Sequence, residues 1–258
     1  MYAEERQQEI LTRARERGRV EVETLSKGFE VSAETIRRDL NSLEQAGVLR
    51  RVHGGAIPVE RLSLEFPLAQ RDRLMTQEKD AIAQLALRQL PDAGAILLDA
   101  GSTTSRLAQC LPQDVPLTVV TNSPAIGLSL AQRDDLTVML LGGRIRKKTS
   151  ATVDSWALHA TSQIHVDVAF MATNGLSVSR GLTTPDPAEA SIKRAMIASA
   201  SRVVLLADHT KLDNDCFAKF GELSDVDLLV TDSGLDDIAL QELRQAGLET
   251  VCASPLHR

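Results

Sequence analysis

The stretch VSAETIRRDLNSLEQAGVLRRVHGGA, residues 31–56, decides the fold of the first part of the chain. Its apolar residues recur at a spacing that predicts one helical stripe packed against a small core. Those residues are Val31, Ile36, Leu40 and Leu43. Ser32 precedes the run as an N-cap, and Gly47 follows it as a terminator. The stretch therefore predicts an amphipathic helix with two marked ends.

The opposite face of this helix carries polar and basic side chains, namely Thr35, Arg37, Arg38, Asn41 and Ser42. Arginine can bond guanine through two hydrogen bonds, asparagine can pair with adenine, and threonine can contact a thymine methyl group. Two helices, at about 4–17 and 22–27, precede it, and a turn over 28–32 joins the second of them to it. Two helices joined by a tight turn form a helix-turn-helix.

The residues after this helix predict a β-hairpin. Residues 48–52 alternate apolar positions with Arg50 and Arg51, and His53-Gly54-Gly55 gives the freedom of a hairpin tip. Arg50, Arg51 and His53 of such a wing can contact DNA phosphates. An isolated pair of arginines usually belongs only to the solvent-exposed face of a helix. The net charge of the first sixty residues is close to zero, so composition alone does not indicate DNA binding. Clustering of the basic residues on helix and wing favours DNA over that alternative.

The head resembles a known family. The segment from Glu4 to Ala56, with ERQQEIL at its start and TIRRDL to RRVHGGA at its end, is similar to the DNA-binding domain of DeoR-family bacterial regulators. The resemblance implies a repressor of a sugar-catabolic operon with a C-terminal effector domain. Double-stranded operator DNA is the partner that follows from it.

Composition limits the rest of the chain. A length of 258 residues leaves room for one α/β domain beyond the head. The net charge of −6, the lack of an apolar N-terminal signal and the lack of a long apolar run predict a cytoplasmic protein that does not enter membranes. Cys110, Cys216 and Cys252 are widely spaced, so we expect neither disulfides nor zinc, and no cofactor or metal.

The chain beyond the head is expected to be largely a parallel α/β sheet. We assign 1–57 to the winged helix-turn-helix, 58–75 to a linker that includes Pro58 to Pro67, and 76–258 to the effector domain. A helix is predicted at 76–90. Six strand-like runs alternate with helical segments after it, at 95–98, 117–120, 137–141, 167–171, 202–207 and 227–230. Trp156 and Phe170 are interpreted as packing residues.

Ligands of such sheets bind at the carboxyl ends of the strands. Asp99 and the loop Gly101-Ser102-Thr103-Thr104 follow the first strand and open a helix predicted at 105–111, so amides, hydroxyls and helix dipole can converge on a phosphate. The alternative is that Ser102 or Thr103 only caps the helix.

Polar residues follow the other strand ends as well. The effector-site candidates at these strand ends are Thr121, Asn122, Asn174, Gly175, Asp208 and Lys211, and those in or after the stretch GLTTPDP are Asp186, Glu189 and Lys193. Lys211 can meet a phosphate, and the carboxylates of Asp99, Asp186 and Asp208 can accept sugar hydroxyls. Turn residues explain any one of these positions equally well, and Lys211 is equally well an ordinary surface lysine. For Glu189 and Lys193 the spacing of four residues favours an ion pair along one helix.

The family resemblance extends from about Phe66 to Asp232 through DAGSTTSRLA, TNS, LLGG, GLTTPDPAEASIKRAM and LLADHTK. It implies a domain related to ribose-5-phosphate isomerase that binds a phosphorylated sugar through the Gly101–Thr104 loop and Lys211. GLTTPDPAEA resembles members associated with fructose utilisation, which implies a fructose phosphate. The chain departs from the family at Thr152-Val153-Asp154, where many members have glycine.

These patterns predict a repressor controlled by a phosphorylated sugar. A homo-oligomer, dimer or tetramer, is expected, since dimeric readers bind half-sites about 34–36 Å apart or a multiple of it. The alternative is a sugar-phosphate isomerase with a fused DNA-binding head, for which Asp186 and Glu189 are the candidate bases. Asn122 and Asn174 occupy strand ends where a titratable group serves an isomerase better, so we expect no catalytic residues.

Overall fold

The computed structural model describes residues 3–46, 48–58 and 67–255. The chain divides into two compact units, which are described separately. The first contains the described residues up to 58 together with 212–214, and the second contains the others. Residues 59–66 of the predicted linker, and the predicted terminator Gly47, lie outside the described residues. A short helix, α4 below, occupies part of the stretch predicted as linker.

The first unit has three helices and a three-stranded antiparallel sheet. In chain order they are α1 (Ala3–Arg17), β1 (Val20–Glu21), α2 (Val22–Phe29), α3 (Ala33–Gln45), β2 (Leu49–Val52) and β3 (Gly55–Pro58). The sheet order is β1-β3-β2. This is the predicted helix-turn-helix with a wing. One boundary was wrong: α2 runs past Gly28 to Phe29, and Glu30 ends it in the left-handed conformation with φ 54°.

The sequence pattern places the core of this unit. Ile36, Leu40 and Leu43 of α3 are buried and pack with Ile10 and Ala14 of α1, while Val31 packs against the cluster half-buried. The Ser32 hydroxyl accepts a hydrogen bond from the Thr35 amide, so the predicted N-cap is confirmed. The apolar stripe and the cap together fix which face of α3 is left exposed.

The second unit contains seven helices and twelve strands among the described residues. They are α4 (Leu68–Asp72), α5 (Thr76–Ala86), β4 (Gly94–Leu98), α6 (Ser102–Cys110), β5 (Leu117–Thr121), α7 (Pro124–Leu130), β6 (Leu136–Leu140), β7 (Arg144–Ile145), β8 (Thr152–Val153), α8 (Asp154–Thr161), β9 (Val166–Ala172), β10 (Gly175–Ser177), β11 (Gly181–Thr184), α9 (Pro187–Ala198), β12 (Ala200–Leu206), β13 (Ala218–Gly221), β14 (Leu228–Asp232), α10 (Asp237–Gln245) and β15 (Thr250–Ala253).

Seven of these strands form one parallel sheet in the order β15-β14-β12-β9-β4-β5-β6. The chain moves outward from β4 through β5 to β6, and then returns to β9 on the other side of β4. The order therefore reverses between β4 and β9, and ligands of open α/β sheets bind at such a point. Ile96 and Leu97 of β4 point to opposite faces, and both are fully buried, so both faces of the sheet are covered.

The six predicted strands are all confirmed, within a few residues at each end. The sequence analysis missed β15 and the small sheet β10-β11-β13. It also began α6 at Ser105, whereas the helix begins at Ser102. The predicted helix 76–90 is α-helical only to Ala86 and continues as a 3-10 turn to Gln89. Of the helices in the described residues, none has the length and apolar character to cross a membrane.

Candidate functional sites

The exposed face of α3 presents the predicted DNA-contacting residues. Arg37, Arg38, Asn41 and Ser42 are exposed, and Thr35 is half-buried because its hydroxyl contacts that of Ser32 at 2.9 Å. The apolar stripe of α3 faces the core, so the helix holds these polar side chains outward. This matches the expected arrangement of a recognition helix, in which short polar and arginine side chains reach base edges.

The wing is bonded directly to this helix. The Arg51 guanidinium donates to the Asn41 side-chain oxygen at 2.5 Å, and the Glu44 carboxylate accepts from the Arg51 amide at 2.7 Å. Gly54, with φ +69°, forms the tip of the hairpin between β2 and β3, and His53 beside it is half-buried. Arg51 and Asn41 were both predicted to touch DNA, and here each of them also orients the other.

A buried ion pair holds α1 against α3. The Arg6 guanidinium donates from Nε to Asp39 Oδ2 at 2.5 Å and from Nη2 to Oδ1 at 3.2 Å, and Gln7 donates to Oδ1 at 3.2 Å. The hydrogen bond that Arg6 donates to Asp39 raises the pKa of Arg6, against the effect of burial. The sequence analysis did not predict this pair, because its residues lie 33 positions apart and neither falls on the apolar stripe.

The second unit has its own buried ion pair, located where the strand order reverses. Asp99 follows β4 and is 1 % exposed, and its Oδ2 accepts hydrogen bonds from the Lys193 ammonium and the Ala172 amide. Lys193 also donates to the Ala172 carbonyl at 2.9 Å and lies over the Phe220 ring. The predicted Glu189–Lys193 ion pair is therefore wrong: the lysine turns toward the sheet, where a buried carboxylate compensates its charge.

Asp99 keeps one carboxylate oxygen available. Its Oδ1 is buried and accepts no hydrogen bond from the part of the chain that the structure describes. Burial raises the pKa of Asp99 above its ordinary value, although the Lys193 charge opposes this shift. A buried oxygen of this kind costs free energy until a donor reaches it.

The loop after Asp99 approaches the end of β9 closely. A Cβ at Gly101 would lie 2.7 Å from the Cβ of Ala172, a distance that only glycine avoids. Gly101 is the N-cap of α6 without a side-chain cap, so the alternative interpretation of Ser102 or Thr103 as the cap is wrong. The hydroxyls of Thr104 and Ser105 donate to the Gly101 carbonyl.

The amides of the first turn of α6 form the positive end of that helix. No acidic side chain lies in this turn, and Ser102, Thr103 and Thr104 are all buried. The neighbouring strand end supports the loop: Asn122 Oδ1 accepts from the Ala100 amide at 2.8 Å, and the Thr121 hydroxyl donates to the Leu98 carbonyl. Thr121 and Asn122 therefore hold the β4 and β5 ends together.

A second group of candidates surrounds Glu189, which is 3 % exposed. Glu189 accepts from Thr149, from Arg146 at 3.2 Å and from Thr184 at 3.4 Å. Thr184 also donates to the side-chain oxygen of Asn174 at 3.1 Å. Gly175, next to Asn174, begins β10 and pairs with β11. The sequence analysis missed Arg146 and Thr149, although the basic run GGRIRKKT was a signal.

Asp186 is the N-cap of α9, and its carboxylate is already bonded in that position. Its Oδ1 accepts from the amides of Ala188 and Glu189, and its Oδ2 lies 3.0 Å from Arg146 Nε. Burial acts to raise the pKa of Asp186, but the Glu189 amide and the Arg146 charge outweigh it and lower the pKa. A carboxylate with a lowered pKa is a weak general base.

The third group lies at the end of β12. Asp208 is 2 % exposed, and Thr210 donates to it, while Lys211 Nζ lies 3.4 Å from its Oδ2. Burial acts to raise the pKa of Asp208, but the Lys211 charge, the Thr210 hydroxyl and the Lys79 charge together lower it to about 2. Lys211, at the end of a 3-10 turn, is about one-quarter exposed.

Lys79 of α5 is a cation that the sequence analysis missed. It is 2 % exposed and donates to the carbonyls of Arg71 and Leu74. Burial lowers its pKa to about 8, against the attraction of Asp208. Its position in the charged run QEKDA is typical of a solvated helix face, so the sequence held no signal of its burial.

At Thr152-Val153-Asp154, the expected departure described above, the backbone is unusual. Asp154 has φ +77°, in the left-handed region where glycine carries no steric penalty. Its carboxylate bonds Arg144 at 2.6 Å. Thr152 donates from its amide to the Asn122 carbonyl and from its hydroxyl to the Leu141 carbonyl. The chain thus keeps the glycine-like conformation while carrying a side chain.

Comparison with known proteins covers both units. Residues 6–61 match the DeoR-like helix-turn-helix domain, and residues 74–233 match the DeoR C terminal sensor domain. The HTH-type transcriptional regulator GlpR of Haloferax volcanii is 39 % identical over 230 residues, which are 89 % of this chain and 90 % of that protein. The glycerol-3-phosphate regulon repressor of Escherichia coli K12 is 30 % identical over 90 % of this chain and 92 % of its own length.

A further relative is the HTH-type transcriptional regulator FruR of Bacillus subtilis, 33 % identical over 90 % of this chain and 92 % of that protein. Among solved structures, ribose 5-phosphate isomerase A of Methanocaldococcus jannaschii aligns distantly, with a TM-score of 0.39 and 17 % identity over 53 % of this chain and 54 % of that one. A helix-turn-helix head and a sensor domain, both matched in full-length relatives, show that this chain belongs to the DeoR family of transcriptional regulators.

Proposed function

We propose that this regulator represses a sugar-catabolic operon and that a phosphorylated sugar, bound at the carboxyl edge of the parallel sheet, controls its binding to operator DNA. The observation that carries the proposal is the buried Lys193–Asp99 pair beside the first turn of α6, at the point where the strand order reverses. Charged and hydrogen-bonding groups are concentrated there, at the edge where ligands of such sheets bind.

The phosphate has a natural place at the first turn of α6. The amides of residues 101–104 and the helix dipole favour an anion, and no carboxylate in that turn opposes it. In our proposal Lys211 and Lys79 add positive charge from the neighbouring strand end and helix.

The sugar part needs acceptors and donors for its hydroxyl groups. Asp99 Oδ1 is a buried acceptor that a sugar hydroxyl satisfies. Glu189, Asn174 and Asp186, with the Arg146 cation between the two carboxylates, form a polar group at the start of α9. Hydrogen bonds to charged groups are stronger than those between neutral groups, so such residues discriminate between sugars.

We further propose that the sensor domain binds its effector without converting it. An isomerase needs a general base whose pKa lies near neutrality. Asp186 has a lowered pKa and caps a helix, and Glu189 is held by an arginine and two threonines. Neither carboxylate is placed as a base. The relatives reported above are named as regulators or repressors.

In the DNA-binding domain we assign base contacts to Thr35, Arg37, Arg38, Asn41 and Ser42, and phosphate contacts to Arg50, Arg51 and His53. The functional boundaries proposed are 1–57 for DNA binding, 58–75 for the linker and 76–258 for the sensor. The acting species is a homo-oligomer, because two heads are needed to read a two-fold operator. Among phosphorylated sugars, the fructose phosphates, together with glycerol 3-phosphate, are the first to test.

The test combines thermal shift and DNA binding on the full chain. Fructose 1-phosphate, fructose 6-phosphate, glucose 6-phosphate and glycerol 3-phosphate are screened for a rise in melting temperature, since a specific ligand stabilises by mass action. A duplex selected from a random pool serves as the DNA. We expect one phosphate to raise the melting temperature and change duplex affinity, with the ligand recovered unconverted.

Two variants locate the site. Thr103→Glu places a negative charge where the phosphate is expected, and Lys211→Ala removes a charge-assisted contact worth about 1.5–3 kcal/mol. Both should bind the duplex like the parent and need at least tenfold more effector to respond. Arg38→Ala is the converse control, expected to cost about 1–3 kcal/mol in duplex affinity with an unchanged thermal shift. An unchanged response in both sensor variants contradicts the site, and turnover of the sugar contradicts a purely regulatory role.

A further inference from the structure

Strand β6 forms one edge of the parallel sheet, and it carries few of the features that usually protect such an edge. Its sequence and the residues after it, LTVMLLGG at 136–143, contain no charge and no proline. The opposite edge, β15, is one residue shorter and is followed by Pro255. Exposed edge strands are normally blunted by charges, proline or bulges, because their free backbone groups pair with other strands.

Apolar side chains are concentrated on this side of the domain. The described residues include nine large apolar side chains that are exposed. Met139 and Leu140 lie on β6 and Leu128 lies on α7, which packs against β6, while Ile145 and Trp156 lie on β7 and α8, which follow β6 along the chain. Monomeric proteins rarely group such residues, so the grouping indicates an interaction surface.

The contacts of these elements place α7 against β6, and α8 near the glycines that follow β6. A Cβ at Gly127 of α7 would lie 3.6 Å from Leu140, so Leu128 is carried on the helix that covers β6. A Cβ at Gly143 would lie 3.3 Å from the Cβ of Ala157, the neighbour of Trp156. Trp156, predicted to be a packing residue, is instead 80 % exposed. A tryptophan so exposed beside an open strand suits a protein interface.

Charges at the two ends of β6 indicate what pairs with it. Asp134 precedes the strand, and Arg144, whose Nε already bonds Asp154, follows it, and both are exposed. If two copies of β6 pair antiparallel about a two-fold axis through Met139, Asp134 of each copy lies opposite Arg144 of the other. Opposite charges then meet at both ends of an uncharged strand, and the apolar side chains face one another across the centre.

From this self-complementarity we propose that the β6 edge, with Leu128, Ile145 and Trp156 beside it, is the surface through which two copies of this chain associate. The two seven-stranded sheets join into one continuous sheet through antiparallel β6 strands. The inference rests on the homo-oligomer of the proposed function, and it assigns the contact between the copies to this surface. It uses no residue assigned to the effector or to DNA, so each proposal can fail without the other.

Sedimentation velocity of the full chain tests the proposal. The parent is expected to dimerise, and Met139→Lys, which places a charge at the centre of the strand pair, should raise the dimer dissociation constant at least a hundredfold. Ile238→Lys, at another exposed apolar position, on α10, is the matched control and should leave the dissociation constant unchanged. A circular dichroism spectrum of Met139→Lys that matches the parent's shows that the variant is folded.

A disulfide trap tests the register independently. In the proposed pairing the two copies of residue 139 lie opposite each other, so Met139→Cys should form a disulfide-linked dimer under mild oxidation. The parent, with its own Cys252 exposed, should not. The proposal is overturned if the parent is monomeric at all concentrations. It is also overturned if Met139→Lys associates like the parent and Met139→Cys forms no disulfide-linked dimer.

Discussion

The DNA-binding and sensor domains each bury an ion pair, and the two pairs differ in how completely they are bonded. In the DNA-binding domain both oxygens of Asp39 accept hydrogen bonds, two from Arg6 and one from Gln7. In the sensor domain one oxygen of Asp99 accepts from Lys193 and Ala172, while the other has no donor among the described residues. In the first pair both carboxylate oxygens are bonded within the folded chain. In the second pair one carboxylate oxygen is left for a ligand to bond.

The two pairs illustrate two reasons for burying charge: one holds helices together, and the other is assigned to ligand binding in the proposed function. A buried pair with every oxygen bonded fixes the packing of two helices, and removal of one member leaves an uncompensated charge. A pair with a free buried oxygen costs stability until a donor arrives, and in the proposed function the ligand supplies that donor. The two pairs should therefore respond differently to the same kind of substitution.

Breaking the complete pair should have the largest effect. Asp39→Ala leaves the Arg6 guanidinium buried without its carboxylate, and we expect the DNA-binding domain to lose about 3–5 kcal/mol of unfolding free energy. Hydrogen exchange of α1 and α3 in the full chain, measured across a urea series, gives this value. Arg6→Met combined with Asp39→Leu should recover most of the loss. A single variant as stable as the parent would show that the pair does not hold the helices.

Removal of both members of the sensor pair should leave the fold intact and weaken the response to the effector. Asp99→Asn combined with Lys193→Met removes both charges together, so the domain stays folded by circular dichroism. The variant should bind the effector about 2–3 kcal/mol more weakly, because charge-assisted contacts are lost. Arg194→Met, exposed on the same helix, is the matched control. Parent-like affinity, by calorimetry, would exclude the pair from the site.

A third buried carboxylate extends the comparison to acid pH. The folded pKa of Asp208, about 2, lies below its ordinary value of 3.8, so its ionised form stabilises the sensor domain above that value. This contribution, about 2 kcal/mol, is lost as pH falls from about 4 to about 2. Unfolding curves of the parent and Asp208→Asn should differ most above pH 4 and converge near pH 2. A difference independent of pH would contradict the shift.

Sequence patterns predicted most of the scaffold, because local signals specify it. The α3 stripe, its Ser32 cap and the six central strands follow from spacing and composition over short windows. The strand β15 was missed because its four residues carry too little signal. The start of α6 was placed three residues late, because the hydroxyl-rich turn SerThrThr was interpreted as loop.

The candidate site was predictable in its location and not in its pairings. Strand ends marked Asp99, Asn122 and Asp208, because topology brings carboxyl ends together. The partner of Lys193 was not predictable, because a carboxylate four residues away is the nearer choice in sequence while the one 94 residues away is nearer in space. Lys79 carried no signal, since only the folded chain buries it.

The separation of Asp99 from Lys193 has a consequence for how the protein is made. Synthesis proceeds from the N-terminus, so all helices and strands of the DNA-binding domain are available before β4 is complete. The sensor pair forms only after a further 94 residues have been added and α9 has emerged. A premature stop codon in that interval produces a chain with an entire recognition helix and wing but without the lysine that its sensor requires. Truncations of this class therefore keep the residues proposed to contact DNA and lose the lysine of the sensor pair.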